Sequence, residues 1–95
     1  MLKIELLQMP LFKRAYKKLP SKHKKIVEEA ITEIIKDPGI GEQKKGDLTG
    51  VFLYKFKINT QEMLLAYEWD PRRHILLALG VHENFYRDLK KNLKS

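Results

Sequence analysis

The hydrophobic pattern of this chain changes its period at Gly50, and this change constrains the fold more than any other feature of the sequence. Before Gly50, apolar residues recur every three or four positions, which is the spacing of an amphipathic helix. After Gly50, apolar residues recur every second position, which is the spacing of a strand. The sequence therefore predicts a helical first half and a sheet-forming second half, and the fold class is α+β.

Two adjacent helices are predicted before Gly50. The first begins at Pro10, which suits a first helical turn, and it ends before Pro20. Ser21 is a good N-cap for the second helix, and the segment DPGIG ends that helix. The second helix has a continuous apolar stripe made of Ile26, Val27, Ala30, Ile31, Ile34 and Ile35. The two helices should form a hairpin that packs this stripe on a sheet.

Four strands are predicted around this hairpin. Residues 2–8 form the first, and a polar loop, GEQKKGDLTG, precedes the other three. These three, VFLYKFKI, MLLAYEW and HILLALG, are separated by the turns NTQE and DPRR and should form an antiparallel meander. HILLALG is almost wholly apolar, so we expect it inside the sheet and covered on both faces. The element order is β-α-α-β-β-β-α, with the helical hairpin packed on a small, mainly antiparallel sheet in one domain, residues 1–95.

The alternation assigns the side chains of the meander to two faces. Lys55 and Lys57 are two positions apart, so both ammonium groups should project from one face. Glu62 and Glu68 have the matching parity in the next strand, and the mixture with Leu and Ala predicts a half-open face. This face either forms weak Lys–Glu pairs or binds phosphate. The other face should pack on the hairpin and contains Phe52, Tyr54, Phe56, Met63, Leu65, Tyr67 and Trp69.

The charge of the chain favours an anionic partner. Its 95 residues include 19 Lys and Arg against 12 Asp and Glu, which gives a formal net charge of +7. Such an excess favours nucleic acid, the ribosome, an acidic protein or an anionic membrane surface. There is no cysteine, which excludes disulfides and thiolate metal sites and fits a reducing compartment. No apolar stretch approaches about 20 residues and no signal peptide opens the chain, so we expect a soluble cytoplasmic protein.

The segment GVHENFYRDLKK places chemically useful side chains where the last strand meets the last helix. His82 titrates near neutral pH and suits general acid–base work, and we expect Gly80 to let the chain turn tightly off the strand. Tyr86 suits base stacking or proton transfer, and Arg87 suits phosphate binding beside the two strand lysines. Without His and Asp at metal-ligand spacing, catalysis would use no metal and the nucleophile would be an RNA 2′-OH.

Each of these residues also has a purely structural interpretation. His82 or Asn84 would simply cap the last helix. Phe85 would belong to the core, with Tyr86 packed beside it. We expect the other two histidines, His23 on a lysine-rich helix and His74 in a turn, to lie on the surface.

The chain resembles the RelE/ParE superfamily of bacterial type II toxins in element order and in the segments KKGDLTGVFLYKFKI, MLLAYEW and LLALGVHENFYRDLKK. The resemblance implies a small toxin encoded beside an acidic antitoxin. RelE-type members bind the ribosomal A site and cut mRNA, whereas ParE-type members inhibit DNA gyrase. RelE-type toxins usually have an arginine in the strand that reads MLLAYEW here, where Met63 or Leu64 stands instead.

The resemblance also implies roles for individual residues. Lys55 and Lys57 match a basic pair that contacts the substrate phosphates, and His82 matches a catalytic position just after the final strand. Tyr86, or Arg87 beside it, matches the region of a base-stacking aromatic. We therefore expect a toxin that cuts ribosome-bound mRNA without a cofactor, with gyrase inhibition or an inactive interaction module as alternatives. The predicted catalytic residues are His82, Tyr86 and Lys57, and the predicted phosphate-binding residues are Lys55, Lys57, Arg87, Lys44 and Lys45.

Overall fold

One five-stranded sheet organises the molecule. A computed structural model describes residues 5–93, apart from the side chains of residues 82–84 and 92–93. The strands are β1 (Glu5–Gln8), β2 (Glu42–Gln43), β3 (Phe52–Ile58), β4 (Gln61–Asp70) and β5 (Arg73–Val81). They lie in the order β1-β5-β4-β3-β2, with β1 parallel to β5 and every other neighbouring pair antiparallel. The predicted mainly antiparallel sheet is confirmed.

Three helices complete the predicted element order. They are α1 (Pro10–Lys17), α2 (Ser21–Lys36) and α3 (His82–Leu93). Ser21 is the first residue of α2 rather than its N-cap, because Pro20 takes the extended conformation that precedes the helix. The predicted polar loop contains β2 between two short 3-10 turns, Pro38–Ile40 and Gly46–Leu48. Within residues 5–93, none of the helices is long and apolar enough to cross a bilayer.

The helical hairpin packs on the sheet face predicted for it. The buried side chains of α1 and α2, Phe12, Val27 and Ile34, form one core with the side chains of β4 that face them. Such burial contributes roughly 1.5–3 kcal/mol for each large apolar side chain. The sheet side of this core contains Ile58, Met63, Leu65, Tyr67, Leu76 and Leu79, with Phe52, Tyr54 and Phe56 packed against them.

α3 covers part of the opposite sheet face. Phe85 and Leu89 pack there on a second core, which contains Leu48, Val51, Leu53, Leu64, Ala66, Leu77 and Ala78. The central strand β4 and its neighbour β5 are therefore buried on both faces, as the apolar run HILLALG predicts. A register shift between β4 and β5 follows the Ala66–Ala78 pair. Because Leu77 has no partner in that ladder, it joins Ala78 in the second core.

His74 is buried, and the expectation of a surface histidine is wrong. β5 begins at Arg73, so His74 lies inside the sheet, paired with Leu6 on one side and Trp69 on the other. The side chain is 2% exposed, and its Nδ1 atom has no hydrogen-bond partner among the described residues. The Trp69 ring stands perpendicular to the imidazole at 6.4 Å between centroids. Burial lowers the pKa of His74, and nearby Asp70 opposes this shift.

Candidate functional site

The open part of the second sheet face carries two exposed lysines. Lys55 and Lys57 alternate with Tyr54 and Phe56, which face the helical hairpin, so both ammonium groups lie on the side of α3. Leu53, two residues before Lys55 on the same face, is buried in the second core. Neither lysine takes part in the ion pairs found among the described residues. The prediction of a half-open face with two projecting cations is confirmed.

The start of α3 lies at the same end of the sheet as these lysines. Lys55 pairs with Leu64 of β4, and Leu64 pairs with Gly80 of β5. Neighbouring strands are about 4.8 Å apart, so the backbones of Lys55 and Gly80 are separated by roughly 10 Å. His82 follows as the first residue of α3, and its side chain lies outside the described part of the chain. A catalytic role for His82 stays a prediction.

The two glutamates of β4 occupy different places. Glu62 faces Lys57 in the register of β3 and β4, although no ion pair within 4.0 Å joins them. Glu68 pairs with Ile75 of β5, toward the other end of β4. Of the two β4 glutamates, only Glu62 is placed for weak cross-strand attraction to the lysine pair, and the two lysines remain available to an anion.

A third lysine of the predicted set is held beside this face by Glu42. The Lys44 Nζ atom donates a hydrogen bond of 2.9 Å to Glu42 Oε1 and lies 5.6 Å from the centre of the Tyr86 ring. The hydrogen bond to Glu42 raises the pKa of Lys44, and the contact with Tyr86 adds to this. The same hydrogen bond lowers the pKa of Glu42, and the charge of Lys55 lowers it further. Lys45, the next residue, is exposed.

The helical period of α3 separates Tyr86 from Arg87. Tyr86 is half-buried, packs edge-on against Phe85 at 5.7 Å and faces Lys44. Arg87 follows about 100° around the helix, on the side away from buried Phe85 and Leu89. Its side chain is 75% exposed, and its Nε atom lies 3.9 Å from Asp88 Oδ1. The structure therefore brings Tyr86 to Lys44, while Arg87 lies on the exposed side of α3 beside Asp88.

Gly80 does not form the tight turn expected of it. It lies within β5, which continues to Val81, and positive φ among the described glycines occurs at Gly46 and Gly50. A Cβ atom at Gly80 would lie 3.4 Å from the Phe85 ring. Gly80 therefore lies directly against Phe85, the residue through which α3 packs on this part of the sheet.

Among the described residues, no group of three or more His, Asp or Glu is placed to hold a metal ion. The contact that sequence analysis missed is the one between Glu42 and Lys44. The i, i+2 spacing would have shown it only if the segment had been recognised as a strand. Two residues are too few to give a detectable alternation.

Comparison with known proteins identifies the family of the chain. A family model described as the ParE-like toxin of type II bacterial toxin–antitoxin systems matches residues 6–90. The chain belongs to this toxin family. A search of curated proteins gives no match for the toxin.

Solved structures show that the toxin has the fold of RelE. It superimposes on a free-state variant of E. coli RelE with a TM-score of 0.72 and 17% identity, over 95% of this chain and 97% of that chain. A chain of the intact E. coli RelBE toxin–antitoxin complex superimposes with a TM-score of 0.67 and 18% identity, over 85% of this chain and 99% of that chain. A chain of the RelBE2 toxin–antitoxin complex from Mycobacterium tuberculosis superimposes with a TM-score of 0.68 and 19% identity, over 83% of this chain and 98% of that chain.

β4 has apolar residues where the sequence resemblance implies an arginine. These residues, Met63 and Leu64, are 7% and 0% exposed. Met63 faces the helical hairpin and Leu64 lies under α3, so neither presents a group to an anion. Cationic groups on this face come from β3 and from the segment around β2.

Proposed function

We propose that the toxin cleaves mRNA on the ribosome, using the 2′-OH of the RNA as the nucleophile. The observation that carries this proposal is the exposed pair Lys55 and Lys57, which has no ion-pair partner among the described residues and lies at the sheet end where α3 begins. Two ammonium groups on one side of a strand suit contact with an RNA backbone. The net charge of +7 provides the long-range attraction that this contact requires.

The chemistry needs a base, an acid and cations. The 2′-oxygen loses its proton and bonds to the adjacent phosphorus, and the bond to the 5′-oxygen breaks as that oxygen takes up a proton. The products are a 2′,3′-cyclic phosphate and a free 5′-OH. His82 is the proposed acid–base group, and such a group typically contributes about 10²–10⁴-fold in rate. Lys57 would stabilise the charge on the phosphorane, and Lys55 would hold the neighbouring phosphate.

The other predicted residues have less direct roles in this proposal. Tyr86 is turned toward Lys44, so we assign it to positioning that lysine rather than to proton transfer. Lys45 and Arg87 are exposed and would attract RNA through their charge.

A cognate acidic antitoxin is the second proposed partner. The structures from E. coli RelBE and from M. tuberculosis RelBE2 are toxin–antitoxin complexes. An acidic antitoxin would complement the net charge of +7 of this chain. Antitoxin bound across the lysine pair would compete with RNA and would neutralise the toxin.

Inducing the toxin in growing bacteria tests the proposed function. We expect protein synthesis to stop first, with mRNA cut within coding regions, while DNA synthesis continues for longer. A prompt stop in DNA synthesis with gyrase-linked breaks and intact mRNA would instead identify a gyrase inhibitor. Normal growth with a folded, soluble toxin would identify an inactive interaction module. Coexpression with the antitoxin gene should restore growth.

A further inference from the structure

We propose that the carboxylate of Glu42 is a built-in occupant of a phosphate site formed by Lys44, Lys55 and Tyr86, and that an RNA phosphate displaces it. This inference rests on the proposed function, because it assigns a further phosphate contact to the same face. The sequence predicted that Lys44 binds phosphate. The further point is that Lys44 already binds an anion of the same chain, the Glu42 carboxylate.

The sheet register places Glu42 between two cations. Glu42 pairs with Leu53 across β2 and β3, so its side chain lies on the same face as Leu53 and as Lys55 two residues further on. A diagonal neighbour on an antiparallel pair lies about 7–8 Å away, within reach of long side chains. Lys44 lies two residues from Glu42 along the chain and contacts it directly at 2.9 Å.

Tyr86 and the local backbone hold Lys44 in this place. The Lys44 N–H donates to Val51 O at 2.9 Å, which attaches the residue to the start of β3. The Tyr86 ring lies 5.6 Å from the ammonium group, and Phe85 anchors that part of α3 in the second core. The side chain of Lys44 is 23% exposed, so its ammonium group is presented in a restricted position. Tyr86 is thus a positioning residue for Lys44.

Glu42 is suited to leave this site. Its side chain is 60% exposed, and water can solvate the carboxylate once it is displaced. An exposed Lys–Glu pair is weak, whereas a phosphodiester that also contacts Lys55 gains two charge-assisted hydrogen bonds. The exchange replaces one anion with another, so the lysines are never left without a counter-charge. Glu42 therefore reduces affinity for loosely bound RNA.

The test compares two variants that remove the same charge from different places. Glu42→Gln removes the occupant, and Glu29→Gln removes a carboxylate of α2, which packs on the other face of the sheet. The probe is a short 2′-O-methyl RNA, which lacks the nucleophile, and its binding is measured by fluorescence anisotropy over a range of salt. We expect Glu42→Gln to bind about 1.5- to 5-fold more tightly than Glu29→Gln.

Two further readouts identify the site. The slope of log affinity against log salt should be steeper by about 0.7 in Glu42→Gln than in Glu29→Gln, because no displaced carboxylate then takes up a cation and offsets a counterion released from the RNA. Adding Lys44→Ala should abolish the gain. Thermal melts check that each variant is folded. On the wild-type toxin, inorganic pyrophosphate should shift the NMR signals of Glu42, Lys44 and Tyr86 while leaving those of Glu29 in place.

Equal affinity of the two glutamine variants, or a gain that survives Lys44→Ala, would overturn the inference. Pyrophosphate shifts that leave Glu42 and Lys44 unmoved would overturn it as well. If wild-type toxin still cuts ribosome-bound mRNA in that case, the proposed function stands without Glu42. A gain specific to Glu42→Gln in a toxin that does not cut mRNA would support the phosphate site and contradict the endoribonuclease proposal.

Discussion

At the scale of single residues, His74 shows how the sheet register changes the chemistry of a side chain. Its sequence context, DPRRH, is typical of a turn, but the turn occupies only residues 71–72, and β5 already includes His74. β1 then covers the outer edge of β5, and Trp69 covers the ring. A buried imidazole whose Nδ1 has no partner within the described part of the chain favours the neutral form, so folding is linked to the protonation of this residue.

This linkage predicts that the free energy of unfolding falls as the pH drops below the ordinary histidine value of about 6.5. Burial lowers the pKa of His74 in the folded chain, so in this range the unfolded chain binds the proton and the folded chain does not. The stabilising contribution is present above about pH 6.5 and is lost toward the lowered pKa. Urea unfolding of wild type and His74→Leu at pH 8 and pH 5.5 would measure this pH-dependent contribution to the free energy of unfolding. The variant should lose less stability on acidification, and an equal loss in both proteins would contradict the assignment.

Side-chain directions on the meander were predictable because the alternation extends over whole strands. The exposure of Lys55 and Lys57 and the burial of Tyr67 agree with parity, whereas Trp69, with the same parity as Tyr67, is 39% exposed near the end of β4. The contact between Glu42 and Lys44 did not follow, since its strand has only two residues. The same is true of Arg87, whose direction depends on how α3 is rotated about Phe85 and Leu89.

At the scale of elements, the β5–α3 junction determines where the predicted acid–base group can act. Val81, the last residue of β5, pairs with Met63, and α3 starts at the next residue. The backbone N–H groups of this first turn lack helical partners, so a side chain here either bonds to the backbone or is free for chemistry. If His82 is catalytic, truncating its side chain removes activity. If His82 only caps the helix, the same truncation removes stability.

We expect His82→Ala to abolish toxicity while the protein stays folded and still binds the antitoxin. Loss of an acid–base group costs about 10²–10⁴-fold in rate. Lys57→Ala should weaken toxicity less, since Lys55 remains on the same face. A helix cap would instead cost about 0.5–2 kcal/mol of stability and leave toxicity intact. Growth assays and thermal melts on both variants separate the roles, and a fully toxic, less stable His82→Ala protein would refute catalysis by His82.

Most elements could be predicted from hydrophobic period, and the exceptions have physical reasons. The hairpin and the meander each extend over several periods, so the pattern is strong. The register shift beside Leu77 could not be read from HILLALG, because apolar residues at consecutive positions fit either face. The function expected of Gly80 was wrong for a related reason. Gly80 lies against Phe85, a contact made only when α3 packs on the sheet.

At the scale of the whole molecule, the two faces of the sheet differ in how much of each is covered by helices. The helical hairpin closes one face with a continuous apolar core. α3 closes the other face only in part, and the uncovered part presents Lys55 and Lys57. A chain with a net charge of +7 would draw an RNA backbone toward this open part, with an affinity that decreases steeply as salt increases. A fold does not by itself determine a target, so we expect the chemistry of this face to decide the activity.

The most direct measurement of the central claim is cleavage in a purified translation system. Toxin would be added to ribosomes stalled on a defined mRNA, and the 3′ ends of the RNA would be mapped and tested for a 2′,3′-cyclic phosphate. The account predicts cuts in the ribosomal A site that require the ribosome, weaken in Lys57→Ala and disappear when the mRNA carries a 2′-deoxynucleotide at the cut position. Intact mRNA in this system, together with inhibition of purified gyrase by the same protein, would contradict the account.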